Sequence, residues 1–141
     1  MKILQVCPRY SPYMGGVERV VKNVAEYLVK QNHQVTVYST DPSKRLPEVR
    51  TVKGVNVRRY FALAPNENYH LPHPKMLMHL LGEQCDVTHI HSVHDLTALT
   101  AHMSHKLSAN SALVISPYYH GKGHTRLTQV LWITYRSVVR E

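Results

Sequence analysis

The sequence predicts an open, doubly wound α/β domain with a mostly parallel sheet. Segments typical of strands recur along the chain, and segments with helical periodicity separate most of them. A chain of 141 residues with 43% hydrophobic residues can bury one core, and it contains no internal repeat or low-complexity tract. Strands that alternate with helices lie parallel, because each crossover returns the chain in the same direction. We therefore expect a single domain over residues 1–141.

The first strand, helix and strand are predicted within residues 3–40. Ile3–Val6 is a short apolar strand, and a loop rich in proline and glycine separates it from a helix that begins at Val17. One face of this helix is apolar at the i, i+3, i+4, i+7 spacing and consists of Val17, Val20, Val21, Val24 and Leu28. The helix is predicted to end near residues 31–32, and the alternating segment Gln34–Thr40 forms the second strand.

The middle of the chain continues the same alternation. Val55–Tyr60 alternates between apolar and polar residues and is predicted to be the third strand. A proline-bearing loop over residues 64–74 follows, and then a short helix over Lys75–Leu81. Asp86–His91 is the fourth strand, so the pattern of a crossover between parallel strands is repeated.

The last third of the chain is predicted to add a helix, a strand and a final helix. Leu96–Leu107 is helical, and we expect His102 and His105 to face solvent. Its apolar side consists of Leu96, Leu99, Met103 and Leu107. Ala112–Ser116 is so apolar that we expect it inside the sheet and not at an edge. Thr125–Arg140 is the final helix.

The net charge and the cysteine content limit the partners, the state of the thiols and the cellular location that we expect. The formal net charge of +8 favours anionic ligands or surfaces. Nucleic acid is not an expected partner, because the basic residues are scattered and are not clustered on one element. Cys7 and Cys85 are too few to staple a domain of this size, so we expect buried thiols. No segment is typical of a membrane span or a signal peptide, and a cytoplasmic location is predicted.

Two adjacent glycines before the first helix define a candidate ligand-binding loop. Gly15 and Gly16 allow backbone conformations closed to other residues, and because they have no side chains they let a ligand approach the free N–H groups of the first helical turn. Those groups and the helix dipole favour anions, above all phosphate. The alternative is a simple chain reversal, because the spacing matches neither a dinucleotide-binding motif nor a P-loop. Glu18 is compatible with a favourable charge in the first helical turn.

Three loops are predicted to meet at one edge of the sheet. In doubly wound sheets, ligands bind beyond the carboxyl ends of the strands, where the strand order reverses. The loops over residues 10–16, 92–95 and 117–124 are expected there. In the third loop, His120, Lys122 and His124 supply donors suited to a sugar hydroxyl or a phosphate, whereas its tyrosines are also compatible with packing over the sheet.

Closely spaced histidines raise a metal site as an alternative. His89, His91 and His94 have the histidine spacing of a metal motif of metallo-β-lactamase-like hydrolases, but Val93 stands in place of its aspartate. His89 and His91 are predicted to share one face of a strand, whereas His94 lies beyond its end. We prefer one buried, hydrogen-bonded histidine with others lining a polar cleft, and we assign no metal.

Four segments resemble, in order, the N-terminal domain of a GT-B glycosyltransferase of family 4. They are MKILQVCPRYSPYMGGVERVVKNVAEYL, QNHQVTVYST, DVTHIHSVHDLTAL, and ALVISPYYHGKGH with the trailing TRLTQVLWITYR. The resemblance implies a Rossmann-like, acceptor-side domain. It also implies transfer of a sugar from a nucleotide-sugar donor to a hydroxyl acceptor with retained configuration, without a metal or further cofactor.

The resemblance implies roles for the candidate residues. Gly15 and Gly16 would approach the donor diphosphate, and a histidine after the fifth strand would lie near the reacting sugar. Counting from the strand places that histidine at Tyr118, and the nearest histidine is His120. We favour His120 as the catalytic residue, with Tyr118 as the alternative position.

We assign His91, His94 and Lys122 to the binding of substrate or donor phosphate. The family binds most of its donor through a second, C-terminal domain, whose Arg/Lys pair and Glu-x7-Glu motif the sequence does not contain. The family would also add a sixth strand and a helix to the first domain. We therefore expect a fragment that requires the C-terminal GT-B domain and has little activity alone.

The residues are also compatible with two further functions. One is the metal-dependent hydrolase that uses the three histidines described above. The other is a non-catalytic binding module for an anionic ligand, which the charge of +8 favours. The same charge is compatible with a transferase that associates peripherally with a membrane and acts on a lipid-linked acceptor.

Overall fold

The computed structural model describes residues 1–64, 70–93, 95–108 and 111–118. The strands in these ranges are β1 (Lys2–Val6), β2 (Gln34–Thr40), β3 (Val49–Val52), β4 (Val55–Tyr60), β5 (Ala62–Leu63), β6 (Leu71–Pro72), β7 (Val87–His91) and β8 (Ala112–Ser116). The helices are α1 (Gly16–Lys30), α2 (Pro74–Gly82) and α3 (Leu96–Ser108). The predicted final helix, over residues 125–140, lies outside the described residues.

Six of the strands form one sheet in the order β3-β4-β2-β1-β7-β8. All neighbouring pairs are parallel except β3 and β4. The strand order reverses at β1, which has β2 on one side and β7 on the other. The carboxyl ends of β1 and β7 therefore flank the switch point, where a doubly wound sheet binds its ligands. The predicted fold class is confirmed.

Helices cover both faces of the sheet because alternate strand residues point to opposite sides. On one face, Val21 and Ala25 of α1 pack with buried valines of β2 and β4. On the other face, Leu4 and Val6 of β1 form a core with residues of α2 and α3. The exposed fraction of Val20 is 40%, so this residue lies off the buried face of α1 to which it was assigned.

A short antiparallel strand, β3, was not predicted. Val49–Val52 pairs with β4 through a turn at Lys53 and Gly54, whose φ angles are 50° and 81°. Three of its four residues are exposed, so no core-facing alternation marks it in the sequence. Gly54 is required at this turn because a Cβ there would lie 2.7 Å from Cγ1 of Val29, in addition to the left-handed φ.

The prediction for α3 identified the helix but not its buried face. Met103 and Leu107 are exposed by 51% and 73%, respectively. The buried residues are Thr97, Ala98, Ala101, His102 and Ser104. These side chains are mostly small, which allows the helix backbone to pack closely, and hydrophobicity alone therefore selected the wrong side. His102 is only 4% exposed, so its predicted solvent-facing position is wrong.

The position of β8 also differs from the prediction. Within the described residues, β8 pairs with β7 alone and forms the edge of the sheet, and Val114 is 44% exposed.

Both cysteines are free thiols, Cys7 buried and Cys85 half-buried. Across the described ranges, no helix is long and apolar enough to cross a bilayer.

Candidate ligand site at the switch point

The loops that follow β1, β7 and β8 emerge at the same edge of the sheet. These three strands are neighbours and run parallel, so their carboxyl ends lie side by side. A hydrogen bond from the N–H of Ser92 to the carbonyl of Ser116 (2.9 Å) joins the ends of β7 and β8. The structure thus brings together residues 10–16 and the described residues 92, 93 and 95 of the predicted loops, and it places residues 117–118 beside them.

Gly15 and Gly16 lie at the start of α1, as predicted, but their backbone is ordinary. Gly15 is the N-cap residue, with φ −139° and ψ −177°, an extended conformation open to any residue. Among the described glycines, only Gly54 has a positive φ. The conformational freedom that glycine allows is therefore not used at Gly15, and Gly16 has no positive φ either.

The atoms around the two glycines, and not their φ and ψ angles, indicate why residues without side chains stand here. A Cβ on Gly16 would meet no atom within 4 Å, so a ligand can approach the first turn of α1 there. A Cβ on Gly15 would fall 2.2 Å from Oε2 of Glu18. Gly15 therefore makes room for a carboxylate of the chain itself, whereas Gly16 leaves open space.

Glu18 places a negative charge at the N-terminus of α1. The N-cap Gly15 has no side-chain hydrogen bond to offer, and Glu18 is the acidic residue of the first turn. A carboxylate here interacts favourably with the helix dipole. An incoming phosphate would meet this charge, so binding at this turn requires Glu18 to move or a cation to accompany the ligand.

Two histidines of β7 lie side by side next to Ser116 and Tyr118. The rings of His89 and His91 have centroids 3.9 Å apart, which confirms that they share one face of the strand. Nε2 of His89 lies 2.9 Å from Oγ of Ser116, and Nδ1 of His91 lies 2.9 Å from the hydroxyl of Tyr118. The rings of His91 and Tyr118 are stacked, with centroids 5.9 Å apart.

His91 is neutral in this environment. Its side chain is fully buried, and burial followed by the nearby charge of His89 lowers its pKa from 6.5 to about 3. Burial also lowers the pKa of His89. A neutral His91 can orient the Tyr118 hydroxyl, but it cannot supply a positive charge to a phosphate. Its direct contact with substrate therefore stays a prediction.

Two residues at this edge adopt left-handed backbone conformations although they are not glycine. Ser92 follows β7 with φ 75°, and Tyr118 follows β8 with φ 44°. Such conformations cost on the order of 1–3 kcal/mol and are concentrated at functional sites. The backbone directly after β7 and β8 thus has a specific conformation at Ser92 and at Tyr118.

Asp95 anchors the start of α3 at the same edge. Its Oδ1 accepts hydrogen bonds from the N–H groups of Thr97 (2.6 Å) and Ala98 (3.0 Å). Burial raises its pKa from 3.8 to about 6, although the hydrogen bonds from these N–H groups act in the opposite direction. Among the described residues, its Oδ2 has no hydrogen-bond partner. Sequence analysis had not given this residue a role, although Asp directly before a helical pattern is the residue expected at an N-cap.

Three candidate residues, His94, His120 and Lys122, lie outside the described residues. The described ranges contain no group of three or more metal-ligating side chains, so the hydrolase alternative gains no support from them. Tyr118, the alternative catalytic position, is described and lies beside His91. Burial raises the pKa of its hydroxyl, so this group is a hydrogen-bond donor at neutral pH.

A second concave region lies beyond the ends of β2 and β4, and we call it the lateral cavity. It has a volume of about 400 Å³, and its lining includes Lys44, Arg59, Phe61 and Lys75. It adjoins the loop after β1, because Nη2 of Arg59 donates to the carbonyl of Ser11 (2.7 Å). Sequence analysis noted these basic residues only as scattered, since no local pattern shows that they converge.

Together, the fold and the strand ends at the switch point define the class as a Rossmann-like α/β domain with a mostly parallel six-stranded sheet. The chain belongs to Glycosyltransferase Family 4, because the model of this family matches residues 14–141. The predicted family is therefore confirmed. No curated protein was found to match the chain.

The fold is similar to that of a sucrose-phosphate synthase from Thermosynechococcus elongatus. The TM-score is 0.65 at 11% sequence identity, and the match covers 99% of this chain and 40% of that chain. At this identity the likeness concerns the fold. The chain spans about two fifths of the length of that structure.

Proposed function

We propose that this chain forms the acceptor-side half of a site that transfers a sugar from a nucleotide-sugar donor to a hydroxyl acceptor with retained configuration. The observation that carries the proposal is the open space at Gly16 at the start of α1, in a chain whose family is Glycosyltransferase Family 4. The proposal includes a C-terminal GT-B domain that binds most of the donor.

In this proposal, the first turn of α1 steadies the departing diphosphate. Its free N–H groups and the positive end of the helix dipole favour the charge that develops on the leaving group. Gly16 lets the diphosphate approach because no side chain intervenes, and the carboxylate of Glu18 moves aside or is neutralised by a cation when the diphosphate binds. The contribution of this chain to catalysis is then positioning and electrostatics.

The loop after β8 would bind the sugar. Tyr118 presents a protonated hydroxyl that the neutral His91 holds by hydrogen bonding and stacking. His120, two residues further on, is our candidate for the family histidine, with His94 and Lys122 as additional binding residues. We also propose a cytoplasmic enzyme, and its formal net charge of +8 is compatible with peripheral association with an anionic membrane.

The test is an activity assay on the full-length gene product. Radiolabelled nucleotide sugars would be offered with mixed hydroxyl acceptors, and the anomeric configuration of any product would be determined by NMR spectroscopy. We expect transfer with the configuration of the donor retained. A product of inverted configuration would contradict the stereochemistry, and the absence of transfer from every nucleotide sugar would contradict the function.

A further inference from the structure

The lateral cavity contains a buried cation whose hydrogen bonds are incomplete. Arg59 is 4% exposed, and its Nη1 and Nη2 donate to the carbonyls of Pro47 (3.1 Å) and Ser11 (2.7 Å). In the part of the chain that the structure describes, its Nε has no hydrogen-bond partner. Both carbonyls are neutral, and the carboxylate of Asp41 stabilises the guanidinium through its charge without a hydrogen bond between the two, so a bound anion would stabilise this buried charge further.

The loop over residues 41–46 positions a second cation, Lys44, at the cavity. Oδ1 and Oδ2 of Asp41 accept hydrogen bonds from the N–H groups of Ser43 and Leu46, each at 3.0 Å. Between these residues the backbone of Lys44 is left-handed, with φ 55°. Its Nζ lies 4.0 Å from the centre of the Phe61 ring, a cation–π contact. Among the described residues, Lys44 forms no ion pair.

The acidic groups of the cavity do not cancel its cations. Burial acts to raise the pKa of Asp41, but hydrogen bonds from Ser43, Leu46 and Tyr13 outweigh it and keep the pKa below its usual value. The carboxylate of Asp41 is thus already engaged in hydrogen bonds within the chain.

The other acid, Glu48, pairs with Lys75 at 2.6 Å, and both side chains are about half exposed. Exposed ion pairs contribute little to stability, so Lys75 can turn toward a ligand at small cost. The cavity therefore has three cations and two carboxylates. Asp41 is held by hydrogen bonds within the chain, whereas Glu48 can release Lys75 to a ligand.

We propose that the lateral cavity binds a phosphorylated monosaccharide. The guanidinium of Arg59 and the ammonium groups of Lys44 and Lys75 suit a phosphate, and Phe61 offers an apolar face to a sugar ring. The volume of about 400 Å³ lies within the range of small-molecule sites. We assign this monosaccharide as the sugar acceptor, and this assignment rests on the proposed function. It is favoured because Ser11 and Tyr13 of the loop after β1 also contact residues of the cavity.

The test is calorimetric titration of the 141-residue chain with glucose 6-phosphate at low salt, with glucose as the neutral control. We expect glucose 6-phosphate to bind and glucose to give no measurable heat. Lys44→Gln should weaken binding by roughly 5- to 10-fold, as expected for one charge-assisted contact. The matched variant Arg45→Gln, at the neighbouring exposed residue outside the cavity lining, should change affinity less than about twofold.

Equal weakening by Lys44→Gln and Arg45→Gln, or no preference for the phosphorylated sugar, would overturn the inference. Unchanged melting temperatures of both variants show that the comparison concerns binding and not folding. Titration with a nucleoside diphosphate separates the two sources of phosphate. If Lys44→Gln weakens its binding as much as that of the sugar phosphate, the cavity serves the donor and the acceptor assignment is wrong.

The outcome for the cavity is distinguishable from the outcome for the proposed function. Binding of glucose 6-phosphate that depends on Lys44, without sugar transfer by the full-length product, would support the cavity and contradict the transferase. Transfer to neutral acceptors that Lys44→Gln does not affect would support the transferase and contradict the cavity.

Discussion

Nδ1 of His91 lies 2.9 Å from the hydroxyl of Tyr118, and this pair connects the ends of β7 and β8 at the switch point. The two rings are nearly parallel, with an interplanar angle of 8°. Because His91 is buried and neutral, the pair is a hydrogen bond between uncharged groups. It fixes the position of Tyr118, the last described residue of the loop that we propose binds the sugar.

Tyr118→Phe tests the energetic contribution of this pair. The variant keeps the stacked ring but removes the hydroxyl, so His91 loses its hydrogen-bond partner in a buried position. We expect the free energy of unfolding to fall by about 1–2 kcal/mol, as for other buried groups left unsatisfied. Urea denaturation at pH 7 measures it, and an unchanged value would show that water or another group satisfies His91.

The low pKa of His91 predicts loss of stability in acid. Below pH 6.5 the unfolded chain binds a proton at this residue, whereas the folded chain does so only near pH 3. The unfolded state is therefore favoured as the pH falls through this window, by on the order of 4 kcal/mol in total. His91→Gln removes the titration, and denaturation at several pH values between 4 and 7 should show a weaker dependence than in the original protein. An identical dependence would contradict a buried, neutral His91.

Asp95 predicts a dependence of opposite sign. Its pKa in the fold is about 6, above the ordinary 3.8, so the folded state keeps a proton that the unfolded state has lost. This contribution to stability is present below pH 4 and is lost as the pH rises through 6. Asp95→Asn keeps the N-cap acceptor without the charge. It should raise the free energy of unfolding at pH 7 by about 1–2 kcal/mol and change it little at pH 4.

A control distinguishes the charge of Asp95 from its role as a cap. Asp95→Ala removes the acceptor for the N–H groups of Thr97 and Ala98, and should lower stability at pH 4 by about 1 kcal/mol. A variant Asp95→Asn that is less stable than the original protein at pH 7 would show that the fold needs an ionised carboxylate here.

Gly54 is the described glycine whose replacement should damage the fold. Its φ is 81°, and an added Cβ would lie 2.7 Å from Cγ1 of Val29. We expect Gly54→Ala to lower the free energy of unfolding by about 1–3 kcal/mol. The matched control is Gly82→Ala at the end of α2, where a Cβ meets nothing within 4 Å. Thermal denaturation of the two variants compares them, and equal melting temperatures would contradict this account of the β3–β4 turn.

The elements that sequence analysis predicted well carry their pattern within their own residues. Gln34–Thr40, Val55–Tyr60 and Ala112–Ser116 have the predicted bounds, since β-branched or alternating residues mark each of them locally. The meeting of the loops after β1 and β7 followed from the parallel order of the strands. The fold and the edge that holds the site were therefore predictable.

The remaining features depend on contacts between distant segments. The buried side of α3 is formed by small residues, because close packing and not hydrophobicity selects it. Gly15 gives room to the carboxylate of Glu18, and no sequence pattern reports that contact. The lateral cavity is lined by residues from several segments, and Arg59 joins it to the loop after β1 by a hydrogen bond to the carbonyl of Ser11, which is 48 residues away in the sequence.

The central claim is that open space at Gly16 admits the donor diphosphate, and a pair of matched variants tests it most directly. Gly16→Val and Gly82→Val each add a side chain whose Cβ meets nothing within 4 Å, one at the switch-point edge and one at the end of α2. In the full-length product, we expect Gly16→Val to reduce sugar transfer by about 100-fold or more without changing the melting temperature. We expect Gly82→Val to leave transfer within about twofold. Equal transfer by the two variants would contradict the account.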